Sequence, residues 1–590
     1  MTAKAHAGQE GLALVAVLAL LSVLMVLITG FVGLTAIEMA TTRSSMRSFQ
    51  GFYAAEAGLN ARADEFRQTF VDGGLPTGTA PSTTGTPLPC VGSNQGSGSF
   101  ACSSYTFQSR DVHTYVVESP LSSDDIVIPR GEDFQNLFGS EYHYVVYSES
   151  VNDDSSREAS LEMHFKSRTV PLFQFAAFYN KDLELLPTSG WVLGGPVHSN
   201  RDAYLGCNTS IDITGQVTVV GDLYRGRKDS DSCLSGPVRV PNPTTLTDLP
   251  ACTAGRRQIA QSSLTAWNKM VNTVLEPVSV PGADILDPAS DRPYWSRADL
   301  RVVLNLTSGT PAIEVRNVDG TVNAGETSHL ASCGAASTVS TLYDNREGRF
   351  IQTLDVDMLA LLTCTHLGPM IGKNLNSITQ LPLVLHFTVI GPDSAGVNGY
   401  GVRLRNGAEL KSPLSTSAAV LTGLTVVSDQ AVYIRGDYNS VYKKPAAILG
   451  DRIDVLSNNW SDANSTLALA ARVPTATTIN AALLGGTDTT GGSEGPAGQD
   501  HGHYGGGVEN FVRLHENWNG TVTLTLLGSL VSLSRPRHAI GEWEYGGDRY
   551  TRPIRAFGFD TDFQDPETFP PMSPQFVYLR QELFVRRFEL

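Results

Sequence analysis

Residues Leu12 to Ile37 make 26 consecutive positions without a charge, closed by Glu38. As a helix at about 1.5 Å per residue this run reaches about 39 Å, longer than a hydrocarbon core of about 30 Å. It can therefore span a membrane. Only eleven residues precede it. A secretory signal would have a basic start, a shorter apolar core and a small-residue cleavage site behind that core, and no such site follows Ile37.

Helical spacing continues past the apolar run. Phe49, Phe52, Glu56, Leu59, Ala63, Phe66 and Phe70 step by three and four residues and so share one helix face. Glu56 is the carboxylate on that stripe. Read alone it is an edge residue or a surface salt-bridge partner contributing well under ~1 kcal/mol; its place on the apolar stripe points to pairing at an interface. A short leader with Gly11 at the junction, an apolar helix and an amphipathic extension carrying Ala54-Ala55-Glu56-Ala57-Gly58 resemble the amino terminus of a type IV pilin, and most closely the PilX type of minor pilin. The resemblance implies cutting by a prepilin peptidase between Gly11 and Leu12. Gly8 is a second position for the cut, but it would put Glu10 second in the mature chain and delay the apolar run. Ordinary pilins carry Glu at the fifth mature position, where it answers the amino-terminal charge of a neighbour; here that position is Ala16. This departure, shared with PilX-like and K-type secretion pseudopilins, implies a minor subunit near the filament tip. The plainer reading of the same stretch is an uncleaved signal anchor holding an enzyme at the membrane, which has no need of the amphipathic continuation to Phe70.

At 590 residues the chain exceeds one ordinary domain, and about 150 residues per domain predicts three or four units. Charged residues at 17%, with 56 Gly and 31 Pro, suit strands and turns better than long soluble helices. Mostly β structure is expected after residue 70. The net charge of -16 argues against broad nucleic-acid binding, which gains affinity from Lys and Arg on phosphates. Local basic groups are Arg435, Lys443, Lys444 and Arg452, then Arg535, Arg537, Arg549, Arg552 and Arg555. The second group is interleaved with Glu542, Glu544, Asp548, Trp543, Tyr545 and Tyr550 and reads as a solvated mixed face rather than a DNA track. Seven cysteines lie beyond the apolar helix, where translocation would put them in an oxidising space. Neighbourhood suggests Cys90 with Cys102, Cys333 with Cys364, and one pair among Cys207, Cys233 and Cys252, leaving one thiol over.

The expected fold is mainly β with a long N-terminal α-helix: a pilin-like α+β module followed by a β-solenoid-like body with an α+β insertion. Residues 1–11 form the leader and 12–70 the helix. Residues 71–170 form the pilin-like sheet region, opening with a Thr-, Ser-, Gly- and Pro-rich loop to 99. Its strands are read at Tyr105–Glu118, Tyr142–Glu149 and Ala159–Lys166, with Leu161-Glu162-Met163-His164-Phe165 alternating as a half-covered strand does. The helix is its natural cover. In 171–253, short strands broken by Gly, Asn and Asp suggest stacked β-solenoid coils, without a strict period. The phrase Gly195-Pro196-Val197-His198-Ser199-Asn200 resembles a mark that recurs behind PilX-like amino termini in large pilus-assembly proteins. Residues 254–400 read as an α+β insertion, with a helix over Ala260–Val274 and buried strands at Leu300–Leu306 and Leu381–Ile390. In 401–590 the short-strand texture resumes, and the tail strands either close the solenoid or return to the pilin sheet.

Few constellations carry chemistry. Asp500, His501 and His503 offer two imidazoles and a carboxylate for a metal, but no fourth ligand stands nearby and a surface loop is the simpler reading. Asp560 and Asp562 would share one face of a strand, as acid-base work on a glycosidic bond requires, although Asp-x-Asp is also common in turns. Asp229 with Asp231, or Asp124 with Asp125, would suit calcium; no other cofactor is expected. The sequence thus predicts a tip-proximal minor pilin of a type IV pilus or related filament. Its partners would be other pilins through the helix, prepilin peptidase and the inner membrane, with a surface for adhesion or DNA capture. The alternatives are a K-type pseudopilin-like component of a type II secretion system and a membrane-anchored β-helix enzyme acting on polysaccharide.

Overall fold

The computed structural model describes residues 10–107, 109–152, 156–242, 244–367, 382–412, 421–492, 504–505, 507–543 and 548–587. Helix α1 (Glu10–Gln68) is continuous over 59 residues, about 88 Å. The sequence permits this because the first proline is Pro76 and the apolar run is rich in Leu and Ala, both strong helix formers. Its few hydroxyls turn inward on the backbone: Thr29, Thr35 and Thr41 each donate to the carbonyl four residues back at 2.8 Å. The chain leaves the helical direction through a tight turn at Val71–Gly73, where Gly73 takes a φ of +75° that suits glycine.

The helix meets an antiparallel sheet built from β1 (Ser103–Phe107), β2 (Arg110–Glu118), β4 (Phe138–Val151) and β5 (Arg157–Pro171), with β3 (Ser123–Val127) beside β4. The run expected at Tyr105–Glu118 is thus a hairpin of two strands. Outside β5 lies the C-terminal strand Gln575–Arg587, paired antiparallel from Phe576 opposite Val170 to Arg587 opposite Ser160. Of the two destinations open to the tail, the helix-covered sheet is the one it takes. Alternation places Tyr144 and Val146 of β4 and Leu161, Met163 and Phe165 of β5 on the covered face, where Leu59, Ala63, Phe66 and Phe70 close the core.

Beyond Pro171 the strands are short and parallel. They are β6 (Ala177–Tyr179), β7 (Leu183–Leu185), β8 (Trp191–Leu193), β9 (Val197–Ser199), β10 (Ala203–Leu205), β11 (Ile211–Ile213), β12 (Val217–Val219), β13 (Leu223–Arg225) and β14 (Val238–Asn242). Ala177 pairs with Val197 and Val197 with Val217; Leu183 pairs with Ala203 and Ala203 with Leu223; Trp191 pairs with Ile211. Every one of these steps is 20 residues, so a strict period does exist here, against the expectation of none. Polar ladders follow the same step. Asp202 N donates to Asp182 Oδ1 at 3.2 Å and Asp222 N to Asp202 Oδ1 at 2.8 Å, while the rings of Tyr204 and Tyr224 stack at 4.9 Å. The period breaks after Ile211, whose next partner is Val238, because the Cys233-bearing loop intervenes.

One long sheet joins the two halves of the body. It has eleven strands among the described residues and runs from Val271–Asn272 through β12, β9 and β6 to Leu530–Ser532, then through Ala482–Leu484, Ala446–Leu449, Leu424–Val427 and Leu383–Ile390 to Leu300–Asn305 and its edge Ala312–Val315. The chain therefore builds outward from β6 to one end, crosses to the far end, and stacks back until Leu530 sits against Ala177. The crossing spans nine strand spacings, about 43 Å, and residues 273–299 make it with length to spare. On the way Asn200 receives and gives hydrogen bonds with Val278 (2.9 and 2.8 Å), and Ser279 bridges to Val577 and donates to the Phe70 carbonyl at 2.5 Å. One segment thus pins helix end, C-terminal strand and body together.

Two expectations need correction. The segment 254–400 does not stand apart as an insertion, since Leu300–Asn305 and Leu383–Ile390 are members of the long sheet; its helices, Ala324–Cys333 and Met358–Leu367, are additions to that sheet. The helix expected over Ala260–Val274 is a 3-10 turn at Gln261–Trp267 that buries Leu264 and Trp267, after which Asn268 and Lys269 adopt φ of 43° and 64° and Val271 enters the sheet. Apolar residues three apart suit a 3-10 turn as well as an α-helix, and the left-handed pair stops its propagation.

Candidate functional site

Helix α1 has two halves with opposite surroundings. From Leu12 through Phe49 its side chains are exposed almost throughout, including the whole apolar run and Ala16. From Ala54 to Phe70 one face is buried against the sheet. The stripe read from sequence divides at this boundary: Phe49 is exposed, Phe52 and Glu56 are half-buried, and Leu59, Ala63, Phe66 and Phe70 are core. Close approach depends on small residues. A Cβ on Gly58 would lie 2.4 Å from Val112 Cγ1, and one on Gly51 2.4 Å from Glu158 Cβ. Arg62, buried, reaches under the helix to the carbonyls of Ser99 and Ala101 at 3.0 and 2.6 Å and so holds the loop that precedes β1. The Gly11–Leu12 bond lies in the first turns of the helix.

Where the helix ends, a cleft of about 950 Å³ opens between it, the crossing segment and the C-terminal strand, lined in part by Arg67, Lys269, Glu276 and Arg580. At its floor the Asp133 carboxylate receives Tyr578 OH at 3.0 Å, Asn272 Nδ2 at 2.9 Å and Lys269 Nζ at 3.1 Å. The cleft mixes both signs of charge.

The densest charge in the molecule is elsewhere and fully buried. Arg452 donates to Asp344 Oδ2 (2.9 Å), Asp454 Oδ2 (2.8 Å) and Tyr433 OH (2.6 Å) and faces Glu347 at 3.2 Å; Arg513 faces Glu347 at 2.5 Å and His515 meets Asp454 at 2.8 Å. Asp344, Asp454 and His515 converge closely enough to hold a metal, but the Arg452 guanidinium already bonds both carboxylates. Burial pushes the Asp344 carboxyl up, and His515, Arg452 and Arg513 outweigh it, holding the group well below the usual carboxylate range. With no exposed member, the cluster ties three chain segments together rather than meeting a ligand.

A second buried acid pair, Glu184 and Glu509, lies beside β7. Glu184 Oε2 accepts from Thr490 Oγ1 at 2.8 Å, and its Oε1 has no hydrogen-bond partner; Glu509 accepts from Tyr504 OH and from Leu186 N. Burial, opposed by Thr490 and Lys228 and reinforced by Glu509, pushes Glu184 up to about 8. A carboxyl raised in the fold binds its proton more tightly when folded, so its contribution is complete below the unfolded value of about 4.5 and is lost as pH rises toward 8. Glu184→Gln is expected to stabilise the protein at pH 8 by on the order of 1–3 kcal/mol, with no difference near pH 4. Urea midpoints across that range check it.

The other sequence candidates are already engaged. Asp560 caps the short turn Thr561–Gln564 instead of continuing a strand, and Lys443 Nζ neutralises it at 2.6 Å and Asp562 at 2.8 Å. This corrects the strand-face reading of that pair. Asp229 is held by Arg227 at 2.6 Å and Asp231 by Arg256 at 2.5 Å; Asp124 and Asp125 fall on β3, the Asp124 side chain outside the described residues. Of the basic groups, Arg452 is core, not surface. Arg435 donates to Trp460 O and Arg535 to Gly492 O, Arg537 pairs with Asp287 and Arg549 with Glu542, and Arg552 and Arg555 donate to Thr188 and Asn510. Lys444 is partly buried, which pushes its ammonium down. Asp500, His501 and His503 lie outside the described residues. Disulfides join Cys90 to Cys102, Cys233 to Cys252 and Cys333 to Cys364; Cys207 is free and buried.

Comparison with protein-family models, with curated proteins and with solved structures gives no match. The class defined by the structure is a mostly β protein with one N-terminal helix long and apolar enough to cross a membrane by length and composition.

Proposed function

We propose that the chain is a large minor pilin, PilX-like at its amino terminus, that sits in the inner membrane until a prepilin peptidase cuts after Gly11 and then enters a type IV pilus or related filament near the tip. The observation that carries this reading is the division of α1: one unbroken helix, apolar and unpartnered through its first half, packed on an antiparallel sheet through its second. A plain membrane anchor has no use for a rigid helical continuation fused into a sheet. Neighbouring helices would cover the exposed half, and Phe49, Phe52 and Glu56, at the boundary, would meet them first. Ala16 offers no carboxylate to a subunit stacked above, which suits a place at the tip.

The body would project as a β-solenoid-like unit built on the 20-residue coil and present a surface for adhesion or DNA capture. The K-type pseudopilin reading shares all of these features and differs only in the assembly machinery served. The polysaccharide-enzyme reading loses support from Asp560 and Asp562, whose carboxylates are bound by Lys443. Gly11→Val is the direct test: the chain is expected to keep its leader, remain in the membrane and vanish from sheared surface filaments. Filament incorporation equal to that of the native chain would contradict the proposal.

A further inference from the structure

Cys333 and Cys364 join the two helices that flank the long sheet, and His329 stands one turn before Cys333 on the same face of Ala324–Cys333. His329 Nε2 lies 3.9 Å from Cys333 Sγ and 3.2 Å from the Cys364 carbonyl oxygen, and the three ligand atoms are all within 4.8 Å of one another. Among the described residues neither of the other disulfides has such a third ligand. Cys364 is buried, while His329 and Cys333 are partly exposed, so an ion has a way in and a water a place beside it.

We propose that the reduced form of this disulfide, together with His329, binds one zinc ion. Tetrahedral zinc with Zn–S near 2.3 Å and Zn–N near 2.0 Å needs sulfur and nitrogen about 3.5 Å apart and the two sulfurs about 3.8 Å apart. His329 and Cys333 are within a few tenths of an ångström of that already, and breaking the S–S bond frees the sulfurs to part. The redox step requires a dithiol reductant: it supplies two electrons and two protons, becomes a disulfide itself, and leaves two thiols on the chain. Zinc then displaces both thiol protons as two Zn–S bonds form, and His329 contributes the Nε2 lone pair with its proton on Nδ1. Nε2 exchanges its bond to the Cys364 carbonyl for the metal, and a water completes the fourth position. Reoxidation by transfer of two electrons to an acceptor disulfide closes the S–S bond and releases the ion. The site therefore holds the same pair of helices together in reducing and oxidising surroundings by two different bonds.

The test uses the full chain in detergent, reduced with a phosphine, which does not compete for metal, and titrated with cobalt(II) followed by zinc(II). The reduced chain is expected to develop the visible bands of tetrahedral cobalt and thiolate-to-cobalt absorption, both abolished by one equivalent of zinc; the oxidised chain is expected to show neither. Losing a direct ligand in His329→Ala should weaken binding by more than the roughly tenfold to hundredfold typical of a supporting residue, while His329→Cys should restore it with stronger thiolate absorption. Peptide mapping of the oxidised His329→Ala chain, showing the Cys333–Cys364 link intact, verifies that the helices still meet. Equal cobalt affinity in reduced native, His329→Ala and Cys333→Ser chains would overturn the proposal, because the remaining thiols would then account for the metal.

Discussion

Arg452→Met is expected to lower stability by about 3–5 kcal/mol, a large part of the 5–15 kcal/mol that holds a typical domain together. The substitution keeps most of the side-chain volume, so the loss is electrostatic. The guanidinium bonds Asp344, Asp454 and the Tyr433 hydroxyl and faces Glu347. Without it, three buried carboxylates are left with Arg513 and His515 alone. Tyr433 also donates to Asp344 at 2.8 Å and does not replace the lost charge. The pH dependence distinguishes this from a packing defect. Asp344 is held below the usual carboxylate range in the fold, so its contribution is present above about pH 4 and fades as pH falls below that value. The difference between native and variant urea midpoints should therefore narrow toward pH 3. A loss below about 1 kcal/mol, or one independent of pH, would show that the cluster is not the tie described.

Phe66→Ala is expected to cost a comparable amount, about 3–5 kcal/mol, but to be felt in one place. The Phe66 ring is 1% exposed and sits edge-on to Phe70 at 5.2 Å and Tyr144 at 5.1 Å. Removing it empties the centre of the seam between helix and sheet. Hydrogen exchange should quicken in Ala54–Phe70 and in β4 and β5, while the 20-residue coils and the Arg452 cluster, which have their own core, keep their protection. Uniform acceleration through the body would mean that helix and body form a single cooperative unit.

The seam was legible in the sequence because it is local. Leu59, Ala63, Phe66 and Phe70 keep helical spacing within twelve residues, and Leu161 to Phe165 alternate as a half-covered strand must. The 20-residue step was also written there, in Asn180-Lys181-Asp182-Leu183, Asn200-Arg201-Asp202-Ala203 and Gly221-Asp222-Leu223. It escaped notice because the third copy loses the asparagine and the next coil is lengthened by the Cys233 loop, so only the Asp and the apolar residue after it persist. The path of the long sheet was not legible. Its central contact, Ala177 with Leu530, joins residues from opposite ends of the body, and no periodicity encodes such a pairing. The Arg452 cluster failed for the same reason: its members come from three distant segments, and a lone arginine among lysines reads as surface. Asp560 and Asp562 misled because alternation with phenylalanine fits a strand and a capped turn equally.

The central claim is that the exposed half of α1 is a processed, filament-packing helix. Mass spectrometry of the mature amino terminus, on membrane and sheared surface fractions with and without prepilin peptidase, tests it most directly. The account predicts a chain beginning at Leu12, dependent on the peptidase and present in the sheared fraction. An intact leader, with the protein found only in membranes, would contradict it.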